Sequence, residues 1–180
     1  MRYFSTNRRS PHVSFSDGVL EGQPSDGGLY FPDTLPSYNS ELISDILRSS
    51  EAEIAYRVIR PYVHGDIPDD RLQGICAETV DFPFPLVRLD DQIAVLELFH
   101  GPTRAFKDVG ARFMSRCLSY LTRERDGKTV VIVATSGDTG GAVAAGFHGI
   151  DNIEVVIIYP KVMVSRVQEL QLTTLGGNVT

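Results

Sequence analysis

Two short strings hold the residue types that can do chemistry. His100-Gly101-Pro102-Thr103-Arg104-Ala105-Phe106-Lys107-Asp108 follows an apolar strand pattern and leads into a long helical one. Thr135-Ser136-Gly137-Asp138-Thr139-Gly140-Gly141 lies between an apolar strand and a helix made almost entirely of small residues. In the second string, hydroxyls and glycines at a helix N-terminus expose backbone N–H groups and let an anion come close, so a carboxylate or phosphate could be held there. The alternative is that Ser136, Asp138 and Thr139 simply cap the helix. The string has neither the lysine of a phosphate-binding nucleotide loop nor the spacing of a dinucleotide fingerprint. Lys107 suggests covalent chemistry. An amine at the start of a helix opposes the helix dipole, which favours its neutral form, and a neutral lysine condenses with an aldehyde to a Schiff base. The alternative is a lysine whose tip reaches solvent. Asp108, next in the chain, either works against this effect or acts as an N-cap.

The elements around these strings follow from periodicity. Residues 39–47 (Leu42, Ile43, Ile46, Leu47) and 51–63 (Ile54, Ala55, Val58, Ile59) have helical spacing, and Pro61 should weaken or stop the second helix. Pro68-Asp69-Asp70 opens a third helix to about residue 78, with proline in a first-turn position and carboxylates favoured by the dipole. Residues 86–89 and 93–99 read as strands joined by the tight turn Asp90-Asp91-Gln92. Val109, Phe113, Met114, Cys117, Leu118 and Leu121 make the stripe of an amphipathic helix from 107 to about 125. Strand 129–134, helix 139–147, strand 153–159 and helix 165–175, closed by Gly176-Gly177, complete an α/β alternation. Strands apolar on both faces predict a parallel sheet covered by helices on each side. Asn178-Val179-Thr180 reads as the entry to one more strand, so the sequence is expected to be the N-terminal piece of something longer. The first 35 residues are rich in Gly, Pro, Ser and Asp, which predicts an ordered loop at 24–32 and little regular structure beyond a short helix near 16–21.

Composition narrows the function classes. The chain has 180 residues, 42% of them apolar, enough for one sizeable domain or two small lobes. Seventeen Lys+Arg against 23 Asp+Glu leave a net charge of −6, the wrong sign for a protein that binds nucleic acid by neutralising phosphates. Cys76 and Cys117 are too few and too far apart for a disulfide framework or a metal site, and they read as reduced core residues. No apolar run approaches the roughly 18 to 20 residues of a membrane-spanning helix. No apolar block of signal-peptide length follows the N-terminal arginines, so the expectation is a soluble protein of the cytoplasm.

Four stretches in order resemble the threonine synthase family: VSFSDGVLEGQPSDGGLYFP at 13–32, ELFHGPTRAFKDVGARFM at 97–114, VIVATSGDTGGAVA at 131–144 and VIIYPKVMVSRVQELQLTTLGGNV at 156–179. The family consists of pyridoxal-phosphate enzymes whose fold type is shared with tryptophan synthase β-subunits, cysteine synthases and serine/threonine dehydratases. The resemblance implies an α/β fold like that of the tryptophan synthase β-subunit, a parallel sheet flanked by helices, incomplete in this chain. It divides the chain into an N-terminal helical and loop region, 1–85, and the first part of the cofactor-binding region, 86–180.

Carried over by position, Lys107 matches the lysine that forms the Schiff base with pyridoxal 5'-phosphate. Phe106 and Thr103 match positions lining the cofactor pocket, and Asp138 stands where many relatives have an asparagine facing the ring hydroxyl. Thr135, Ser136, Gly137 and Thr139 belong to the loop that takes the substrate carboxylate. Ser165 and Arg166, which open a helix after a strand, are candidates for the substrate phosphate, as are Arg104 and Lys161. His100 reads as a hydrogen-bonded loop residue. No metal is implied. The implied reaction turns O-phosphohomoserine and water into threonine and phosphate, the last step of threonine biosynthesis, with Lys107 abstracting the α-proton and shuttling protons at the β- and γ-carbons.

The family's glycine-rich phosphate loop has no counterpart in these 180 residues. The piece alone is therefore expected to bind the cofactor weakly and to be inactive. The alternatives are a phospholyase or a Ser/Thr dehydratase of the same fold type, or a catalytically silent association module. An incomplete sheet with an uncovered apolar edge is expected to self-associate.

Overall fold

The computed structural model describes residues 1–180 with the exception of Leu47, so the place predicted for Leu47 in a helix lies outside the described residues. The chain divides into two compact units, Met1–Val80 and Asp81–Thr180.

The first unit contains β1 (Tyr3–Ser5), α1 (Phe15–Glu21), β2 (Tyr30–Pro32), α2 (Ser40–Ile46), α3 (Glu51–Val63) and α4 (Asp69–Thr79). β1 and β2 pair antiparallel, Tyr3 with Pro32 and Ser5 with Tyr30, which corrects the expectation of little regular structure near the N-terminus. The reason is Asp26. Its carboxylate accepts hydrogen bonds from Ser5 Oγ (2.6 Å) and from the N–H groups of Gly28 (2.9 Å), Arg9 (2.9 Å) and Ser10 (3.0 Å), tying the loop back onto β1. Ser50 and Glu53 form a reciprocal capping box at the start of α3. α3 runs two residues beyond Pro61 before His64 leaves the helical region, so the proline acts only within the last turn. Pro68 is the N-cap of α4, one position before the predicted first turn, and no side chain caps that helix. Val63, Leu72, Ile75 and Cys76 are buried where α3 meets α4.

The second unit begins with a hairpin, β3 (Leu86–Arg88) and β4 (Ala94–Leu96), shorter than the sequence suggested. Its turn is held by Asp90, whose Oδ1 accepts from the N–H groups of Gln92 and Ile93, both at 2.8 Å. Then come α5 (Asp108–Thr122), β5 (Thr129–Ala134), α6 (Asp138–Phe147), β6 (Ile153–Ile158) and α7 (Arg166–Thr173). β5 and β6 pair parallel in register from Thr129 with Ile153 to Ala134 with Ile158. Val179 bridges to Val155 in parallel, and Thr180 N donates to the Val155 carbonyl (2.8 Å), so the predicted entry to a further strand is present.

Small residues let α5 and α6 approach closely: Gly146 packs against Ala111, and Arg116 donates to the Gly146 carbonyl at 2.7 Å. Ala111, Cys117, Leu118, Ala142, Ala144, Phe147, Ile153 and Val155 form the core of this unit. Asn178 closes the turn between α6 and β6. Its Nδ2 donates to the carbonyls of Phe147 (2.9 Å), Ile150 (3.3 Å) and Ile153 (3.0 Å), and its Oδ1 accepts from Gly149 N (2.8 Å).

β5 departs from the expected burial on both faces. Its residues alternate, with Val130, Ile132 and Ala134 exposed, because the helices of this unit cover only the opposite side of that strand. Both cysteines are free and buried. Among the described residues no helix is long and apolar enough to cross a membrane.

Candidate active site

The loop before α5 supplies the first part of the site. Lys107 is the N-cap of α5, already helical in its backbone (φ −71°, ψ −13°), and its carbonyl accepts from Ala111 N at 3.0 Å. Two turns precede it, closed by Arg104 N to the Gly101 carbonyl and Asp108 N to the Ala105 carbonyl, each 3.1 Å. Arg104 sits in the left-handed region at φ 63°, a conformation that a residue with a Cβ adopts only when its surroundings impose it. What imposes it is Asp108. The buried carboxylate turns back over the loop and accepts from Thr103 N (3.0 Å) and Thr103 Oγ1 (2.5 Å). Gly101 approaches so closely that a Cβ there would collide with the Asp108 side chain. His100 is paired with Glu97 at 2.6 Å, the structural role expected of it.

Lys107 Nζ stands 4.9 Å from the centroid of the Phe106 ring. Among the described residues it has no hydrogen bond or ion pair. The amine borders a cavity of about 380 Å³ lined by Phe106, Lys107, Gly110 and Met114 beside Thr139, Ala142 and Val143 of α6. The lining is largely apolar and lies within the size range of small-molecule sites.

The start of α6 supplies the second part. Capping by Ser136, Asp138 or Thr139 is not what forms: the N-cap is Gly137 and has no side-chain bond. Thr135 takes that role from the end of β5, its Oγ1 accepting from Gly137 N (3.0 Å) and Gly140 N (2.9 Å). Gly137, at φ 151°, occupies a conformation open essentially to glycine, and a Cβ would run into the side-chain amide of Gln168. With Thr135 holding Gly137 N and Gly140 N from below, Ser136, Asp138 and Thr139 are left exposed at the start of the helix.

The start of α7 supplies the third. Ser165 caps this helix in a reciprocal box with Gln168: Ser165 Oγ accepts from Gln168 N (3.3 Å), and Gln168 Oε1 accepts from Ser165 N (3.1 Å). Arg166 is exposed and paired with Glu169 at 3.0 Å. Gln168 then donates from Nε2 to Asp138 Oδ1 (2.8 Å), joining α7 to the 135–139 loop.

The structure therefore brings Lys107, Phe106 and Thr139 to one cavity and sets Thr135, Ser136, Gly137 and Asp138 along the loop leading into it. Thr103, Ser165 and Arg166 do not line that cavity; Thr103 is committed to Asp108, Ser165 to its helix and Arg166 to Glu169. Arg104 and Lys161 are exposed. Sequence reasoning missed Gln168, although the Ser-x-x-Gln spacing of its capping box was available. Among the described residues no cluster of three or more His, Cys, Asp or Glu could hold a metal ion.

The family model described as "Threonine synthase N terminus" matches residues 2–80. Threonine synthase of Haemophilus influenzae is 40% identical over 179 residues, which are 99% of this chain and 41% of that protein. The Pseudomonas aeruginosa threonine synthase is 42% identical over 185 residues, 99% of this chain and 39% of its own length. Among solved structures, the chain matches PLP-bound threonine synthase from Brucella melitensis with a TM-score of 0.93 and 39% identity, covering 99% of this chain and 40% of that one. It matches threonine synthase from Escherichia coli with a TM-score of 0.90 and 36% identity, covering 99% and 41%. The chain thus spans about two-fifths of the length of the curated relatives it matches.

Proposed function

We infer that this chain supplies the N-terminal part of a threonine synthase, the enzyme that converts O-phosphohomoserine and water into threonine and inorganic phosphate. The single observation that supports this most is an unpaired lysine amine, Lys107, at the rim of a largely apolar cavity shared with the N-terminus of α6. The residues present fit pyridoxal 5'-phosphate: Lys107 offers the amine, Phe106 an aromatic face beside it, and Ala111, Ala142 and Val143 a surface on which a flat ring can rest. When bound, that group supplies an aldehyde for the amine and a sink for negative charge at the substrate's α-carbon.

The chain's own residues do the rest. Lys107 holds and returns protons at the α-, β- and γ-carbons of the substrate. The exposed hydroxyls of Ser136 and Thr139, on a turn that Thr135 supports through Gly137 N, orient the substrate carboxylate at the positive end of α6. Asp138, steadied by Gln168, is assigned to the cofactor ring by its place in the loop. Phe106 offers its ring beside the amine, and Thr103 holds the loop in place through Asp108. Arg166, exposed and paired with Glu169, is assigned to the substrate phosphate, for which it would exchange Glu169, and Ser165 caps the helix that carries it. The free thiols of Cys76 and Cys117 fit a reducing cytoplasm.

Borohydride trapping tests this reading. The chain has three lysines, Lys107, Lys128 and Lys161. Pyridoxal phosphate followed by borohydride and peptide mapping should place the adduct on Lys107, and Lys107→Ala should remove it. In a chain of the relatives' full length, the same substitution should lower threonine formation by about a thousandfold. An adduct spread equally over Lys128 and Lys161, or one that survives Lys107→Ala, would overturn the assignment.

A further inference from the structure

A carboxylate beside a lysine at a helix start is within reach of the long, flexible lysine side chain, and an ion pair with it would hold the amine protonated and unreactive. Asp108 follows Lys107, yet its carboxylate is not directed at Nζ. Both oxygens are occupied by Thr103, Oδ2 by its N–H (3.0 Å) and Oδ1 by its hydroxyl (2.5 Å), and the side chain is 1% exposed. The close approach of Gly101 leaves room for this arrangement only without a Cβ. The other charged groups around the site are engaged elsewhere. Glu97 holds His100 at 2.6 Å, Asp138 accepts from Gln168 at 2.8 Å, and Arg112 meets Asp81 at 2.7 Å. The α6 residues lining the cavity, Thr139, Ala142 and Val143, carry no charge, and the side chain of Arg104 is exposed.

We propose that Thr103 is a positioning residue that acts through Asp108: by donating twice to the carboxylate, it diverts that group from Lys107 and keeps the amine available. The proposal rests on Lys107 being the reactive amine. Asp108 thereby gives the loop a buried anchor without quenching its neighbour, and the positive φ of Arg104 is part of the same turn. A hydroxyl is needed, because the backbone N–H alone leaves one carboxylate oxygen free to swing toward Nζ.

The test is reductive methylation of the three lysines with formaldehyde and cyanoborohydride at fixed pH, with Lys128 and Lys161 as internal references. Thr103→Val should slow methylation of Lys107 about tenfold, as the released carboxylate captures the ammonium form. Thr103→Ser, which keeps the hydroxyl, should stay within about twofold of the parent chain. Asp108→Asn on the Thr103→Val background should restore the rate, because no carboxylate is left to capture the amine. A merely structural Thr103 gives the opposite pattern, a double variant as slow as the single one, and that overturns the proposal. So does a Thr103→Val chain that methylates at the parent rate. Thr103→Ala makes the same prediction if the valine does not fold, with circular dichroism as the check. Formaldehyde needs no cofactor cavity, so this result and the pyridoxal-phosphate adduct succeed or fail independently.

Discussion

Asp26 shows how one carboxylate can organise thirty residues. The Ser5 hydroxyl above all, then the N–H groups of Gly28, Arg9 and Ser10, stabilise its ionised form and hold its pKa down to about 2 from an ordinary 3.8. A folded-state pKa below the unfolded one means stability that is fully present above about pH 4 and is lost as pH falls toward 2. Acid titration followed by circular dichroism should show loss of structure in that window. Asp26→Asn should remove this pH dependence and leave the β1–β2 region less stable at pH 7, since an amide presents a donor where four donors already converge. The placement of Lys107 and of the 135–139 loop at helix starts was legible in sequence from residue type and periodicity. The contact between Thr103 and Asp108 was not, because two residues five apart meet only when the intervening turn adopts the left-handed Arg104 conformation, which nothing in the local pattern requires.

At the scale of elements, helices were read more accurately than their caps. The bounds of α3 coincide with the predicted span because an apolar stripe and a Ser-x-x-Glu box agree there. α5 stops at Thr122 rather than near 125, and α7 at Thr173, because polar ends lack the tertiary contacts that would prolong them. The short strands β1 and β2 escaped notice, since three residues are too few to display a period and their pairing depends on a carboxylate in the loop between them. The capping box of α7 carries a definite expectation. Ser165→Ala should destabilise the second unit by about 1 kcal/mol in urea unfolding. It should also loosen Gln168, and with it Asp138, so any effect on ligand affinity at the 135–139 loop would accompany the loss of stability.

Considered whole, the chain leaves a large apolar surface to water in its second unit. Leu86, Leu89, Ile93 and Leu96 of the hairpin region are each more than half exposed, as are Val130 and Ile132 on the open side of β5. Surfaces of that kind associate. The sedimentation coefficient of the isolated chain is expected to rise with concentration, and Ile132→Lys together with Leu96→Lys should return it to a monomer value; a constant monomer value for the parent chain would contradict this. Asn178 has a different consequence, one of timing. Its amide seals a turn whose last carbonyl lies 25 residues earlier. A ribosome adding about 5–20 residues per second takes roughly one to five seconds to supply it. Throughout that interval the nascent crossover is complete in sequence but unlatched, which makes it a natural stretch for a chaperone to guard during synthesis.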